Sequence, residues 1–221
     1  MKLALAVFFI LLGSFAYGTQ VDAYNPSVNT STVPYAVVVI DNAITTQAEY
    51  LGELVGDPHM YEFTIGGEET LTLTVSQLEN EPPLLLSLIA VKENNHNAGV
   101  AEVGRLTAKD IKWKVVDDSV LGLTFLRSQK FEADIGTGVY RVEVSTPDNI
   151  GSYMLTVGEE PVSPGYFSTL ADIRQIQRFF GKSPLALLKS SYVYYPVGSL
   201  VLIGLLYYTW RNRQRIQKRY A

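Results

Sequence analysis

Gly138-Val139-Tyr140-Arg141-Val142-Glu143-Val144 and, after a turn, Gly151-Ser152-Tyr153-Met154-Leu155-Thr156-Val157 decide the fold class. Tyr140, Val142 and Val144 alternate with Arg141 and Glu143, and Tyr153, Leu155 and Val157 repeat the spacing. Successive strand side chains point to opposite faces, so this alternation predicts antiparallel strands with one face in a core and one in water. Pro147-Asp148-Asn149 supplies the turn between them, and Gly136-Thr137 precedes the first.

The same pattern extends outward. Tyr61, Phe63 and Ile65 alternate with Glu62 and Thr64; Gly66-Gly67 turns the chain; Leu71, Leu73 and Val75 then alternate with Thr72 and Thr74. Leu84–Val91 is nearly continuous in apolar residues and predicts a strand buried on both faces. Eight or nine strands in about 125 residues, with no amphipathic helix among them, predict an all-β domain, a jelly roll or β-sandwich, over residues 33–160. The Asn-, Ser- and Thr-rich stretch 19–32 ahead of it reads as a flexible leader.

The Gly138–Val157 pair, with Tyr61-Glu62-Phe63-Thr64-Ile65, its Gly turn and the Thr/Leu alternation, resembles bacterial pre-peptidase C-terminal domains over roughly residues 58–158. That resemblance implies a small jelly-roll sandwich without catalytic activity, accompanying other domains or serving as a surface module. The layout as a whole, including Arg178-Phe179-Phe180-Gly181-Lys182-Ser183-Pro184, resembles bacterial single-pass membrane proteins.

Both ends carry apolar stretches. Lys2, the run Leu3–Leu12 and the small residues of Ala16-Tyr17-Gly18 predict a signal peptide over 1–18, cleaved before Thr19. Ten apolar residues in a helix reach about 15 Å, half of a hydrocarbon core, which favours cleavage over a retained anchor. Residues 190–210 carry no charge, and as a helix they reach about 31 Å, the length of a membrane span. Tyr192, Tyr194 and Tyr195 at one edge, and Tyr207, Tyr208 and Trp210 at the other, predict an aromatic belt at both interfaces. Arg211, Arg213, Arg215, Lys218 and Arg219 follow with no acid, predicting that residues 211–221 form a basic cytoplasmic tail and that the sandwich lies outside. In the juxtamembrane segment 161–189, Leu170, Ile173, Ile176, Phe179 and Phe180 share half of a helical wheel, interrupted by Asp172 and Gln177. This predicts a helix lying in the membrane interface through Phe179 and Phe180, with packing on the sandwich or on a partner span as the alternative.

Charge divides the chain. Residues 19–160 hold 21 acids and eight bases, a net −13; residues 161–221 hold one acid and nine bases, a net +8. An acidic extracytoplasmic domain repels polyanions, which argues against nucleic acid as a partner. The absence of cysteine excludes disulfides, thiolate nucleophiles and Cys-ligated metal. Asn29-Thr30-Ser31 matches the glycosylation acceptor pattern, which has meaning only in a eukaryotic secretory pathway.

Catalytic patterns are sparse. His59 and His96 are the only imidazoles. Asp57, His59 and Glu62 form a weak metal constellation with no second histidine at matching spacing, and His96 reads as a hairpin tip. Glu68-Glu69 and Asp117-Asp118 are adjacent, so on a strand they face opposite ways. Lys112-Trp113-Lys114 places Trp113 in the core if the lysines face water, or as a ligand platform if they do not. The expectation is a non-catalytic, cofactor-free module anchored in the cell membrane, bound to the lipid bilayer and to a protein or surface ligand. Its rivals are an accessory subunit of a membrane complex and, further off, an enzyme or metal-dependent binding domain.

Overall fold

The alternating stretches form strands, yet consecutive ones go to different sheets. The computed structural model describes residues 24–29, 33, 35–40, 44–79, 84–93, 99–162 and 165–217. Among these the strands are β1 (Pro26–Asn29), β2 (Val37–Val39), β3 (Ala48–Val55), β4 (His59–Ile65), β5 (Glu69–Leu78), β6 (Ser87–Glu93), β7 (Val100–Leu106), β8 (Lys114–Asp118), β9 (Leu123–Arg127), β10 (Phe131–Ile135), β11 (Gly138–Ser145) and β12 (Ile150–Val157). Helix α1 (Tyr166–Phe179), a 3-10 helix (Pro184–Lys189) and helix α2 (Ser191–Gln217) follow.

The larger sheet runs β1-β3-β12-β5-β9-β8 with β10 also on β5, and the smaller runs β2-β4-β11-β6-β7. Gly66-Gly67 and Pro147-Asp148-Asn149 are therefore corners that carry the chain from one sheet to the other, not hairpin tips. This makes an all-β sandwich. Pairing is antiparallel except for β1 on β3 and β2 on β4. β9 and β10 share one edge of β5, and Ser128 mends the gap between them. Its Oγ accepts from the Val75 N–H at 3.0 Å and its own N–H donates to the Val75 carbonyl at 2.9 Å.

Inward-facing Tyr61, Phe63 and Ile65 of β4, Leu71, Leu73 and Val75 of β5, and Val142, Val144, Tyr153 and Leu155 build the inner core. Tyr140 stands opposite Phe63 across β11 and β4, and the rings stack 5.8 Å apart. The smaller sheet shows its other face to water, where Arg141 bridges Glu62 at 2.8 Å and Glu93 at 2.7 Å.

The larger sheet is covered on its inner face and over part of its outer face. Helix α1 lies on its outer side, where Ile173, Ile176 and Phe180 join Tyr24, Leu51, Phe125 and Met154 in a second apolar cluster. Full burial of such side chains stabilises by roughly 1.5–3 kcal/mol each. Gln177, which breaks the apolar edge of the wheel, is buried and donates from Nε2 to the Leu121 carbonyl at 2.7 Å. The interfacial reading of α1 is therefore corrected for its inner face: it packs on the sandwich. Phe180 meets Phe125 edge-on at 5.6 Å and is only 8% exposed, leaving its ring no lipid to enter.

Other expectations also change. Residues 24–29 are not loose leader: β1 pairs with β3, Tyr24 is buried, and the Asn25 N–H donates to Glu49 at 2.8 Å. One tyrosine and one valine hold this strand, too little apolar content to stand out from its Asn, Ser and Pro. The domain thus extends beyond 33–160 at both ends. Leu84–Val91 is not one doubly buried strand: β6 begins at Ser87, Leu88 and Ala90 face inward, and Leu85 is exposed. Helix α2 continues to Gln217, so residues 211–217 of the expected tail are helical. Residues 1–18, expected to be a signal peptide, and His96, Lys218 and Arg219 lie outside the described residues.

Candidate functional site

The turn between β8 and β9 is where sandwich and apolar helix meet. Asp118 Oδ1 accepts from the N–H groups of Val120 and Leu121, at 3.1 and 2.9 Å, which fixes the turn. Three consecutive carbonyls then accept from the C-terminal part of the chain. Ser119 takes the Ser191 N–H at 2.8 Å, Val120 the Ser190 hydroxyl at 2.6 Å, and Leu121 the Gln177 amide. Gly122, at φ +64°, completes the fit, because a Cβ there would stand 2.8 Å from the Lys189 backbone.

Pro196 has a structural role at this joint. It lacks the N–H that would bond the Tyr192 carbonyl four residues earlier. The Tyr166 hydroxyl donates to that carbonyl instead, at 2.7 Å, with the two tyrosine rings stacked 5.6 Å apart. Tyr192, expected only as a belt residue, is thus also a docking residue. Tyr194 and Tyr195 are exposed one turn further on, and Tyr207, Tyr208 and Trp210 are exposed near the other end. From Tyr192 to Trp210 is about 27 Å of helix. Arg211 and Arg213 are exposed on its last turns. Phe179 is at the far end of α1 and lines a cavity of about 380 Å³ with Val55, Asp57 and His59.

A polar cavity of about 360 Å³ opens on the same outer face, beside the second apolar cluster. Glu49, fully buried, accepts the Asn25 N–H and the Gln47 amide, each at 2.8 Å. Burial pushes its carboxyl up to about 7, against the lowering effect of those two hydrogen bonds, with nearby Asp118 raising it and Arg127 lowering it. Tyr24 donates to Asp118, Arg127 lies 3.9 Å from the same carboxylate, and Lys130 pairs with Glu159 at the rim. Burial and Asp118 hold the Tyr24 hydroxyl well above its usual range. Sequence reading missed this cluster; the one available signal was Glu49 inside the otherwise apolar run Ala48–Gly52.

Within the inner core His59 Nδ1 lies 2.8 Å from the Tyr153 hydroxyl, which lies 2.9 Å from that of Tyr61. Burial lowers the imidazole below its ordinary value and raises both phenols, Tyr61 to about 12. Both hydroxyls are sealed from solvent. Gly52 makes room for the chain, since a Cβ there would sit 2.5 Å from Tyr153 Cζ and 2.7 Å from His59 Nδ1. Glu62 bonds Arg141 on the opposite strand face, so Asp57, His59 and Glu62 do not converge. Among the described residues no three His, Asp or Glu side chains stand together as a metal site. Trp113 packs on the inner core while Lys112 and Lys114 are exposed.

No protein-family model matches this chain, and no curated protein matches it. Solved structures do match. The pre-peptidase C-terminal domain of a collagenase from Bacillus anthracis is 14% identical with a TM-score of 0.33; the match covers 58% of this chain and 98% of that one. PliG of Aeromonas hydrophila, a periplasmic inhibitor of g-type lysozyme, is 13% identical with a TM-score of 0.35, over 62% of this chain and 98% of that one. The chain is similar to both as a β-sandwich.

Proposed function

We propose that this chain is a non-catalytic β-sandwich module held at a membrane by α2, with the sandwich outside the cytoplasm and the basic end inside, serving to bind a protein or surface ligand. One observation carries the reading. Ser191–Arg213 is long and apolar enough to cross a membrane, at about 34 Å, and Leu200, Val201, Leu202, Leu205 and Leu206 are all exposed. Apolar surface of that extent is not kept in water, and its length matches a hydrocarbon core of about 30 Å. Aromatic residues frame its apolar part and bases occupy its last turns, as expected of a span with a cytoplasmic end. The geometry of the buried polar groups speaks against catalysis. Glu49 is held by N–H donors, and the Tyr153 hydroxyl beside His59 is sealed from solvent. Neither offers a nucleophile beside an accessible base.

Full-length protein in intact cells, or in spheroplasts where an outer membrane exists, tests this. It should resist alkaline extraction from membranes, and external protease should remove the sandwich while leaving a fragment with α2 and the basic end. Release by alkali, or a sandwich protected from protease, would overturn it.

A further inference from the structure

We infer that a second element enters the lipid headgroup zone beside α2: the 3-10 helix Pro184–Lys189, joined by Phe167, so that the sandwich rests on the bilayer along this edge. This rests on the membrane reading above. In a 3-10 helix residues three apart lie on one face, which places Leu185 and Leu188 together. They are 73% and 58% exposed, and no residue of this helix is buried. At about 2 Å per residue, Leu188 is roughly 2 Å and Leu185 roughly 8 Å from Lys189, the last residue of this helix, with only Ser190 between it and α2. Phe167, 82% exposed, meets Tyr166 edge-on at 5.4 Å, and Tyr166 stacks on Tyr192 at the head of α2. The three large apolar side chains therefore adjoin the start of the span, where Tyr194 and Tyr195 are also exposed.

Lipid is the occupant by continuity with α2 and by charge. Residues 166–189 carry four bases and one acid, against the acidic sandwich. Lys189 follows Leu188 directly and is exposed. Its apolar stem can lie along the acyl boundary while its ammonium meets anionic headgroups. Phe179 and Phe180, expected in this role, are replaced in it by Phe167, Leu185 and Leu188, because the inner face of α1 is taken by the sheet.

The chain has no cysteine, so single introduced cysteines report position cleanly. The full chain is reconstituted in phosphatidylcholine–phosphatidylglycerol vesicles with an environment-sensitive fluorophore at residue 167, 185 or 188. Position 202 in α2 and position 100 on the smaller sheet serve as references. Headgroup nitroxides should quench 167, 185 and 188, deep acyl-chain nitroxides should quench 202, and neither should quench 100. If 202 is quenched while 185 and 188 behave like 100, the inference is overturned and the membrane reading stands. If 202 is not quenched, both fall. Protection of 185 and 188 from aqueous iodide without quenching from lipid would assign the surface to a protein and also overturn the inference. A Leu185→Ser, Leu188→Ser variant labelled at 167 should lose headgroup quenching and keep the far-ultraviolet spectrum of the parent; unchanged quenching would mean that these leucines do not hold the edge down.

Discussion

The two apolar clusters differ in how they are made. The inner one is built mainly by strands of both sheets, each contributing every second residue, with Ile40, Ile44, Leu86 and Ile111 added from the connections between them. The outer one joins a sheet to a helix that arrives from the end of the chain, and a polar cavity with a buried carboxyl continues along the same face. The contrast is visible within single strands. In β3 the run Ala48–Gly52 is buried without a break, because Ala48 and Tyr50 face inward while Glu49 and Leu51 face α1 and its surroundings. In β4 half-buried Met60 and Glu62 and exposed Thr64 recur at every second residue, because its outer face meets water. A sheet with a covered back loses the alternation that reveals it.

Removing the outer layer is the strongest way to break the comparison. A fragment of residues 33–160 lacks Tyr24, β1 and α1, whereas residues 24–190 keep both clusters. Ile173, Ile176 and Phe180 together bury apolar area worth roughly 5–9 kcal/mol, comparable with the stability of a whole domain. Urea unfolding should show 24–190 cooperative and stable, with 33–160 marginal and prone to associate through Leu51, Phe125 and Met154. Equal stability would mean that the outer cluster is a cover and not part of the core.

A smaller effect comes from Glu49. Its folded value of about 7 lies above the 4.5 of an ordinary glutamate. The favourable contribution of its protonated form is therefore complete below about pH 4.5 and is lost as pH rises to 7. That difference amounts to about 3 kcal/mol. Glu49→Gln should melt like the parent near pH 5 and above it near pH 8. His59, lowered by burial, acts in the opposite sense, costing stability as pH falls below 6.5, and this cancels between parent and variant. Parallel melting curves would show that the carboxyl is solvated.

Gly52→Ala sharpens the inner side. The added methyl meets Tyr153 and His59, and such overpacking costs about 1–3 kcal/mol. Gly67→Ala, with nothing within 4 Å of its Cβ, is the matched control. A loss of stability confined to Gly52→Ala in thermal melts supports the close approach; equal losses would refute it.

These differences explain what could be read in advance. β4, β5 and β11 were legible because Tyr61, Leu73 and Val142 alternate with polar residues on a wet or half-wet face, and β12 because Tyr153, Leu155 and Val157 keep the spacing although Met154 is buried in the outer cluster. Their assignment to opposite sheets was not, since a Gly or Pro-Asp-Asn turn has the same composition whether it closes a hairpin or rounds a corner. The docking of α1 was obscured by Gln177, a polar residue whose buried amide serves one carbonyl of the joint. β1 was hidden because a four-residue parallel strand takes its order from β3 and not from its own composition. The polar cavity draws on residues from Tyr24 to Glu159, and no local pattern joins them.

The clamp on Ser119, Val120 and Leu121 has a mechanical consequence. No slack linker separates the sandwich from α2, so the pair works as a lever with its fulcrum at the β8–β9 turn. A tilt of the helix arrives as torque on that turn and passes to Phe125 and the outer cluster. A pull on the sandwich loads the Ser190 and Ser191 bonds directly before any tether can extend. Reach is short in such an arrangement: under the proposed membrane anchoring, a partner of the sandwich would have to come close to the bilayer.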